Sequence, residues 1–594
     1  MRTGDSPAAE YERRLEARRA ASARLERHHV LLGNVRLILF AAGGALTWLA
    51  FVENAIAMWL PAAPAALFAV LAVYHESVIR KQRSARRAER VYENGIARLE
   101  DRWAGLGEAG ERFRDPAHPY SEDLDLFGKG GLFDLLSAAR TLIGENTLAK
   151  WLLTPAPVTE IRERHRAIED LRPRLDFRED LAVLAEDLRT GGGSFVNWAE
   201  EPGAIPVRGT RMTAALLSLA VLAAAIAWAA GGHRAPFSVA LTFVACFGFW
   251  LRARVRHVLH SAEQAAGGLS MLASVLKRIE PERFTAPSLA ALLKALDTGG
   301  LPPSKQIARL NRLVELIDSR DNVALRIIGP PLLYGTHLAF AVEAWRARAG
   351  VHARQWLDAV GEIEALSSLA AYSYEHPDDV FPEFADGPAL FEGGNLGHPL
   401  LPGVRTVRNS VHLHEGLKLL IVSGSNMSGK STLLRTVGIN TALAMAGAPV
   451  RAARLRLSPL AVGASIRVTD SLQSGASRFY AEITRLRRIL DIARGPVRLL
   501  FLLDELLNGT NSNDRRIGAE GIVRGFLEHG AIGLVTTHDL ALTEITTPMG
   551  TGAANVHFED HLEEGVITFD YKLHEGVVQK SNALELMRAI GLYV

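Results

Sequence analysis

The segment GSNMSGKST, Gly424 to Thr432, carries the sharpest chemical signal in the chain. Gly424, Gly429, Lys430 and Ser431 fit G-x-x-x-x-G-K-[ST]. Glycines let such a loop curl until its N–H groups face phosphate oxygens, and a following helix adds its positive end. The cradle expected here is Gly424, Ser425, Asn426, Met427, Ser428, Gly429, Lys430, Ser431 and Thr432. In it Lys430 reaches the β- and γ-phosphates and Ser431 holds Mg²⁺, so ATP and Mg²⁺ are the expected cofactors. The flanks agree. LKLLIVS reads as a buried strand before the loop, and TLLRTVGINTALAMAG has helical spacing after it.

Downstream, VRLLFLLDELLNGTNSNDR sets Asp504 and Glu505 at the exit of a second buried-strand run. Asp504 would organise Mg²⁺ and Glu505 would polarise an attacking water. Two solvated acids at a strand end are the plainer alternative, and the loop upstream favours the chemical one. A third strand, AIGLVTTHDL, ends at His538, where an imidazole can meet the γ-phosphate or the water. The catalytic set read from the sequence is therefore Glu505, His538 and Lys430, and the metal set is Ser431 and Asp504. Between them, VTDSLQSGASRFYAEITRLRRIL places Ser474, Gly475 and Ser477 near a helix start, a further place for phosphate.

What must position these groups is a long chain. Its 594 residues exceed one hydrophobic core, so several domains are expected. A net charge of +2 gives no whole-chain argument for a nucleic-acid partner. The single cysteine, Cys246, excludes an internal disulfide framework or a cysteine metal site.

Four uncharged apolar runs stand out: Leu37–Val52, Ala55–Tyr74, Met212–Ala230 and Ala235–Leu251. Each approaches the ~17–25 residues that span a bilayer. They fall into two pairs joined by Glu53-Asn54 and by GGHR, so two transmembrane hairpins are expected. Arginine-rich flanks, among them Arg208, Arg211, Arg252, Arg254 and Arg256, put both hairpin tips outside and the rest in the cytoplasm. A multi-pass protein of the cytoplasmic (inner) membrane is the expected localisation. The expected organisation is 1–120, charged helices around the first hairpin; 121–207, core helices; 208–252, the second hairpin; 253–388, further core helices; and 389–594, an α/β domain of alternating strands and helices.

The combination resembles the MutS family of mismatch-repair ATPases. SGSNMSGKST is similar to its phosphate loop, DSLQSGASRFYAEI to its signature segment, DELLNGTNSNDR to its acidic strand end, and TTHDLALTEI to its Thr-His stretch. YKLHEGVVQKSNALELMRAIGL resembles the family's last segment, and SAARTLIGENTLAKWLLTPAP with EIEALSSLAAYS resembles its helical core. The resemblance implies an α/β P-loop NTPase domain of the ABC/MutS type behind an all-α lever domain. It also implies a homodimer whose site is completed in trans by Ser477. Function by resemblance is ATP hydrolysis coupled to DNA binding in mismatch repair or DNA-damage sensing.

Departures qualify this. No mismatch-reading domain is found. The only early Phe-x-Glu, Phe51-Val52-Glu53, lies at a hairpin tip. Thr406 stands about where the family has an aromatic for adenine, and the C-terminal extension that supports dimerisation is not found. Duplex DNA is thus expected without mismatch preference. The alternatives are a membrane signalling or scaffold ATPase without DNA and, more remotely, half of an ABC-type transporter.

Overall fold

The structure, a computed structural model, describes residues 6–578 apart from 186–191, 206, 299, 404–405, 426, 468–477, 508–511 and 564–565. The chain divides into two units, Met1–Gly107 with Leu175–Leu184, and Glu108–Arg174 with Ala185–Val594.

The first unit is a helical hairpin of α1 (Pro7–Phe51) and α2 (Ala62–Leu99). Its charged half is tied internally. Arg14 donates to the Tyr92 hydroxyl at 3.0 Å and pairs with Asp176 at 2.6 Å, while Arg18 pairs with Glu179 at 2.7 Å. Its apolar half is largely exposed: Phe40 is 71% exposed and Val73 73%. The second apolar run differs from the sequence reading, because Ala55–Pro61 is not helical and α2 starts at Ala62. Prolines explain this. Pro61 caps the helix and Pro64 lies in its first turn, where a missing N–H costs nothing, whereas further upstream helix would meet the rings. The link between the helices is accordingly longer than Glu53-Asn54.

The second unit begins with α3 (Leu132–Leu136), α4 (Leu142–Leu153) and α5 (Val158–Leu171). Then come α6 (Leu175–Ala185), almost wholly part of the first unit, α7 (Gly192–Glu200), α8 (Val207–Ala229) and α9 (Ala235–Ala265). The helical part closes with α10 (Leu269–Ile279), α11 (Pro287–Leu296), α12 (Pro303–Asp318), α13 (Val323–Ile328), α14 (Tyr334–Ala349) and α15 (Ala353–Glu375). Helices α8 and α9 pair over the two later apolar runs, and α9 continues past its run as a charged helix. Among the described residues four helices, α1, α2, α8 and α9, are long and apolar enough to cross a membrane.

Helix α15 is buried along most of its length and packs on α4, α5 and α11. It carries a buried carboxyl, Glu364, that accepts from the Arg140 N–H at 3.1 Å and from the Thr141 hydroxyl. Burial pushes this carboxyl up to about 7.

The α/β part opens with β1 (Glu383–Phe384), β2 (Phe391–Leu396), β3 (Asn409–Leu413) and β4 (Leu419–Ser423), then α16 (Lys430–Ala446). It continues through β5 (Arg454–Leu457), β6 (Leu460–Ser465), α17 (Arg478–Ala493), β7 (Arg498–Leu503) and α18 (Ser512–Glu528). Strands β8 (Ile532–Thr537), β9 (Ala553–Glu563) and β10 (Val566–Glu575) complete it. A four-stranded sheet has the order β1-β5-β2-β3, so this layer starts ahead of residue 389.

The six-stranded sheet has the order β10-β9-β4-β8-β7-β6 and is parallel except at β9–β10. Alternation along β7 covers both faces: Leu499, Phe501 and Leu503 pack with Phe526 of α18 and Ile489 of α17 on one side. Register pairs Ser423 with Thr537 and Leu503 with Val535, which brings the ends of β4, β8 and β7 side by side.

Candidate functional site

Where β4 ends, the chain turns through Gly424–Gly429 into α16. Gly429 has φ 105°, a left-handed value that disfavours any Cβ, and a Cβ there would also sit 3.2 Å from the Tyr571 ring. The first N–H groups of α16 have no acceptor within the helix and point out of its start. Two buried hydroxyls of the loop, Ser425 Oγ and Ser428 Oγ, have no hydrogen-bond partner among the described residues. Lys430 is buried and folds back, donating to the carbonyls of Gly424 at 2.9 Å and Ser425 at 2.7 Å. Burial holds its ammonium below the usual lysine range, against the pull of Glu505 and Asp504.

Two strands away, Asp504 and Glu505 leave β7. The Ser431 hydroxyl donates to Asp504 Oδ2 at 2.5 Å and the Thr536 hydroxyl donates to Asp504 Oδ1, so one carboxylate joins the helix start to β8. Thr536 Oγ1 also accepts the Glu505 N–H at 3.1 Å. Glu505 adopts φ 49°, a left-handed conformation costing ~1–2 kcal/mol in a residue with a Cβ. Such strain concentrates at sites that need one side-chain direction. Here it aims the carboxylate at His538, whose Nδ1 lies 3.0 Å from Oε1.

The structure thus brings together the loop, Lys430, Ser431, Asp504, Glu505 and His538. Met427 stands apart from them: its side chain is 85% exposed, so it offers the loop backbone alone. Thr432 is also exposed and lies in the first turn of α16. Asn426, Ser474, Gly475 and Ser477 lie outside the described residues.

Three residues escaped the sequence reading. Thr536 bridges both acids, and its only signal was a hydroxyl two residues before His538. Asp123, fully buried, accepts the N–H groups of Ile466 and Arg467, each at 2.7 Å, and pairs with Arg485. It therefore fixes both the exit of β6 and helix α17, which flank residues 468–477. Arg164 of α5 donates to the Ala446 carbonyl at 2.8 Å, tying the far end of α16 to the helical core.

The fold and site define a class: a helical region followed by an α/β domain whose parallel strands end on one polar, glycine-bordered site. The family model for MutS domain V matches residues 420–593 of this chain. The endonuclease MutS2 of Thermus thermophilus is 36% identical over 196 residues, covering 33% of this chain and 25% of that protein. Through this domain the chain is similar to the MutS family. The matched segment spans about a quarter of the length of that curated relative.

Proposed function

We propose that the chain is a membrane-anchored, MutS-like P-loop ATPase that hydrolyses ATP with Mg²⁺. The observation that carries this is the continuous network Ser431–Asp504–Thr536–Glu505–His538 across the strand ends facing the loop. The residues fit a nucleotide. Ser425 and Ser428 hydroxyls without a partner among the described residues, a buried ammonium held by carbonyls and a helix start form a cradle for anionic oxygens. Ser431 and Asp504 suit Mg²⁺, which takes few protein ligands and relies on phosphate and water for the others.

Bound ATP with Mg²⁺ supplies the phosphoanhydride and the cation that neutralises it. The protein does the following. Lys430, now on the Gly424 and Ser425 carbonyls, would turn its ammonium to phosphate oxygens. Ser431 and Asp504 would hold the Mg²⁺. Glu505 orients and polarises water, and His538 keeps the Glu505 carboxylate in place. At the other end of α16, Arg164 and the Ala156 N–H, which donates to Met445 at 3.2 Å, pass any shift of that helix to the core.

The composite homodimer, with Ser477 acting in trans, follows from family resemblance. So does duplex DNA as a partner without mismatch preference. The apolar, uncovered windows of α1, α2, α8 and α9 support integral membrane anchoring, with the α/β domain in the cytoplasm. The deciding experiment is the ATPase rate of the detergent-solubilised chain with and without duplex DNA. Hydrolysis that rises with DNA supports the DNA-coupled reading. DNA-independent hydrolysis favours the signalling or scaffold ATPase, and no hydrolysis in either condition defeats the proposal.

A further inference from the structure

A cavity of about 1080 Å³ opens beside α9 where its apolar run gives way to charge. One stripe of α9 lines it in steps of four: Val244, Gly248, Arg252, Arg256 and His260. The same helix face is therefore apolar above Leu251 and cationic below it. The opposite wall, from α13 and the chain into α14, adds Leu325, Arg326 and Leu333. The cationic charge is in excess. Arg320 is matched by Glu263 at 3.2 Å, but among the described residues no carboxylate pairs with Arg252, Arg256 or Arg326. Arg252 lies over the Phe249 ring at 4.1 Å, which sets its guanidinium at the border of the two halves. Beside Arg326, Ile327 is 71% exposed and Ile328 55%.

We propose that this cavity binds an anionic phospholipid of the cytoplasmic leaflet. Its phosphate is held by Arg252, Arg256 and Arg326, and its acyl chains lie along Phe249 and the apolar part of α9. The proposal rests on the reading of α8 and α9 as membrane-spanning. Under that reading the border at Leu251–Arg252 falls at headgroup depth, where basic pockets between spanning helices take anionic headgroups. Guanidinium forks match phosphate oxygens in pairs. A zwitterionic lipid would bring its own cation against three unpaired arginines, and a free anion would leave the apolar half unused.

The test uses the full chain reconstituted in nanodiscs of equal phosphatidylglycerol and phosphatidylcholine, re-extracted in mild detergent, with retained lipid identified by mass spectrometry. Phosphatidylglycerol should be retained selectively. The triple variant Arg252→Gln, Arg256→Gln, Arg326→Gln should lose at least about tenfold of it, the scale of several surface cations removed. Arg254→Gln, on the same helix but not lining the cavity, should retain it as the wild type does. Equal retention by the triple variant, equal retention of phosphatidylcholine, or displacement of the lipid by inorganic phosphate or by duplex DNA would each overturn the proposal. Carbonate extraction separates the two levels. A chain released by carbonate loses the membrane reading and this inference together, and a carbonate-resistant chain without lipid selectivity loses only the inference.

Discussion

His538 Nδ1 lies 3.0 Å from Glu505 Oε1, so two residues from neighbouring strand ends share one contact at the mouth of the site. Position separates them: Glu505 follows Asp504 by one residue, and His538 contacts the site through Glu505. Glu505→Gln keeps size and loses the capacity to polarise water. It should bind ATP and turn over at least ~100-fold more slowly, the scale of a lost general base. His538→Ala should cost less, because Glu505 keeps its backbone bond to Thr536. Single-turnover hydrolysis with labelled ATP measures both, and a Glu505→Gln rate near wild type would show that the wrong carboxylate carries the role.

Lys430 makes a different prediction. Its ammonium is already buried and bonded to two carbonyls, so a nucleotide must offer better acceptors than Gly424 and Ser425. Lys430→Ala removes a charge-assisted contact worth ~1.5–3 kcal/mol, a loss of roughly tenfold to a hundredfold in ATP affinity. Fluorescent-nucleotide titration checks this. Unchanged affinity would mean that the lysine is a structural clamp on its own loop.

How far the sequence reached depends on the range of the interactions. The loop, the acidic pair and the histidine are legible because each is announced by neighbours within about one element: a strand run, a glycine spacing, a helix start. Asp123 could not be found that way. It meets Ile466 across 343 residues, and an aspartate in a polar linker looks like a solvated one until burial is known. Arg164 meets Ala446 across 282 residues and reads as an ordinary charge on an amphipathic helix. The apolar runs were legible as runs. Hydropathy alone does not say where a helix starts, so Ala55–Pro61 read as helix although Pro61 and Pro64 set the first turn.

The membrane reading has a built-in probe, since Cys246 is the only cysteine and lies exposed on α9 inside the apolar run. If α9 spans the bilayer, a membrane-impermeant maleimide should leave Cys246 unlabelled in intact vesicles and label it after denaturing detergent. Reporter fusions at Asn54 and Gly232 should be external and a fusion at Val594 internal, following the positive flanks. Labelling in intact vesicles as fast as in detergent would rule out the span.

Glu364 predicts a pH dependence of stability. Its folded value, about 7, stands above the ~4.3 of an unfolded glutamate because the charged form is buried. The folded state therefore holds a proton that the unfolded chain releases between these values. Stability from this group is full below about pH 4.3 and is lost as pH rises through about 7, a change of order 3 kcal/mol. Glu364→Gln removes that dependence. Thermal unfolding should show the variant more stable than wild type at pH 8.5 and little different at pH 5, and the opposite order would refute the assignment.

The last prediction concerns what lies outside one chain's own wall of the site. In the proposed site the loop, Asp504, Glu505 and His538 would meet a nucleotide from one side, and phosphoryl transfer requires charge stabilisation around all the transferring oxygens. The resemblance assigns the missing side to Ser477 of a second copy. Asp123 gives this arrangement a foundation, since it pins the chain on both flanks of residues 468–477 through Ile466, Arg467 and Arg485. Asp123→Asn weakens that anchor while leaving the nucleotide wall untouched, so it should lower turnover more than ATP affinity. Complementation then decides whether the site is shared. Lys430→Ala and Ser477→Arg chains should each be nearly inactive alone. In a mixed dimer one site collects both lesions, whereas the other joins an intact loop to an intact Ser477. Mixing should restore up to about half of the activity of one wild-type site pair, as one site in two is whole. Mixed dimers that demonstrably form and stay at the level of the single variants would place Ser477 in cis, or outside the chemistry, and the shared-site dimer would fail.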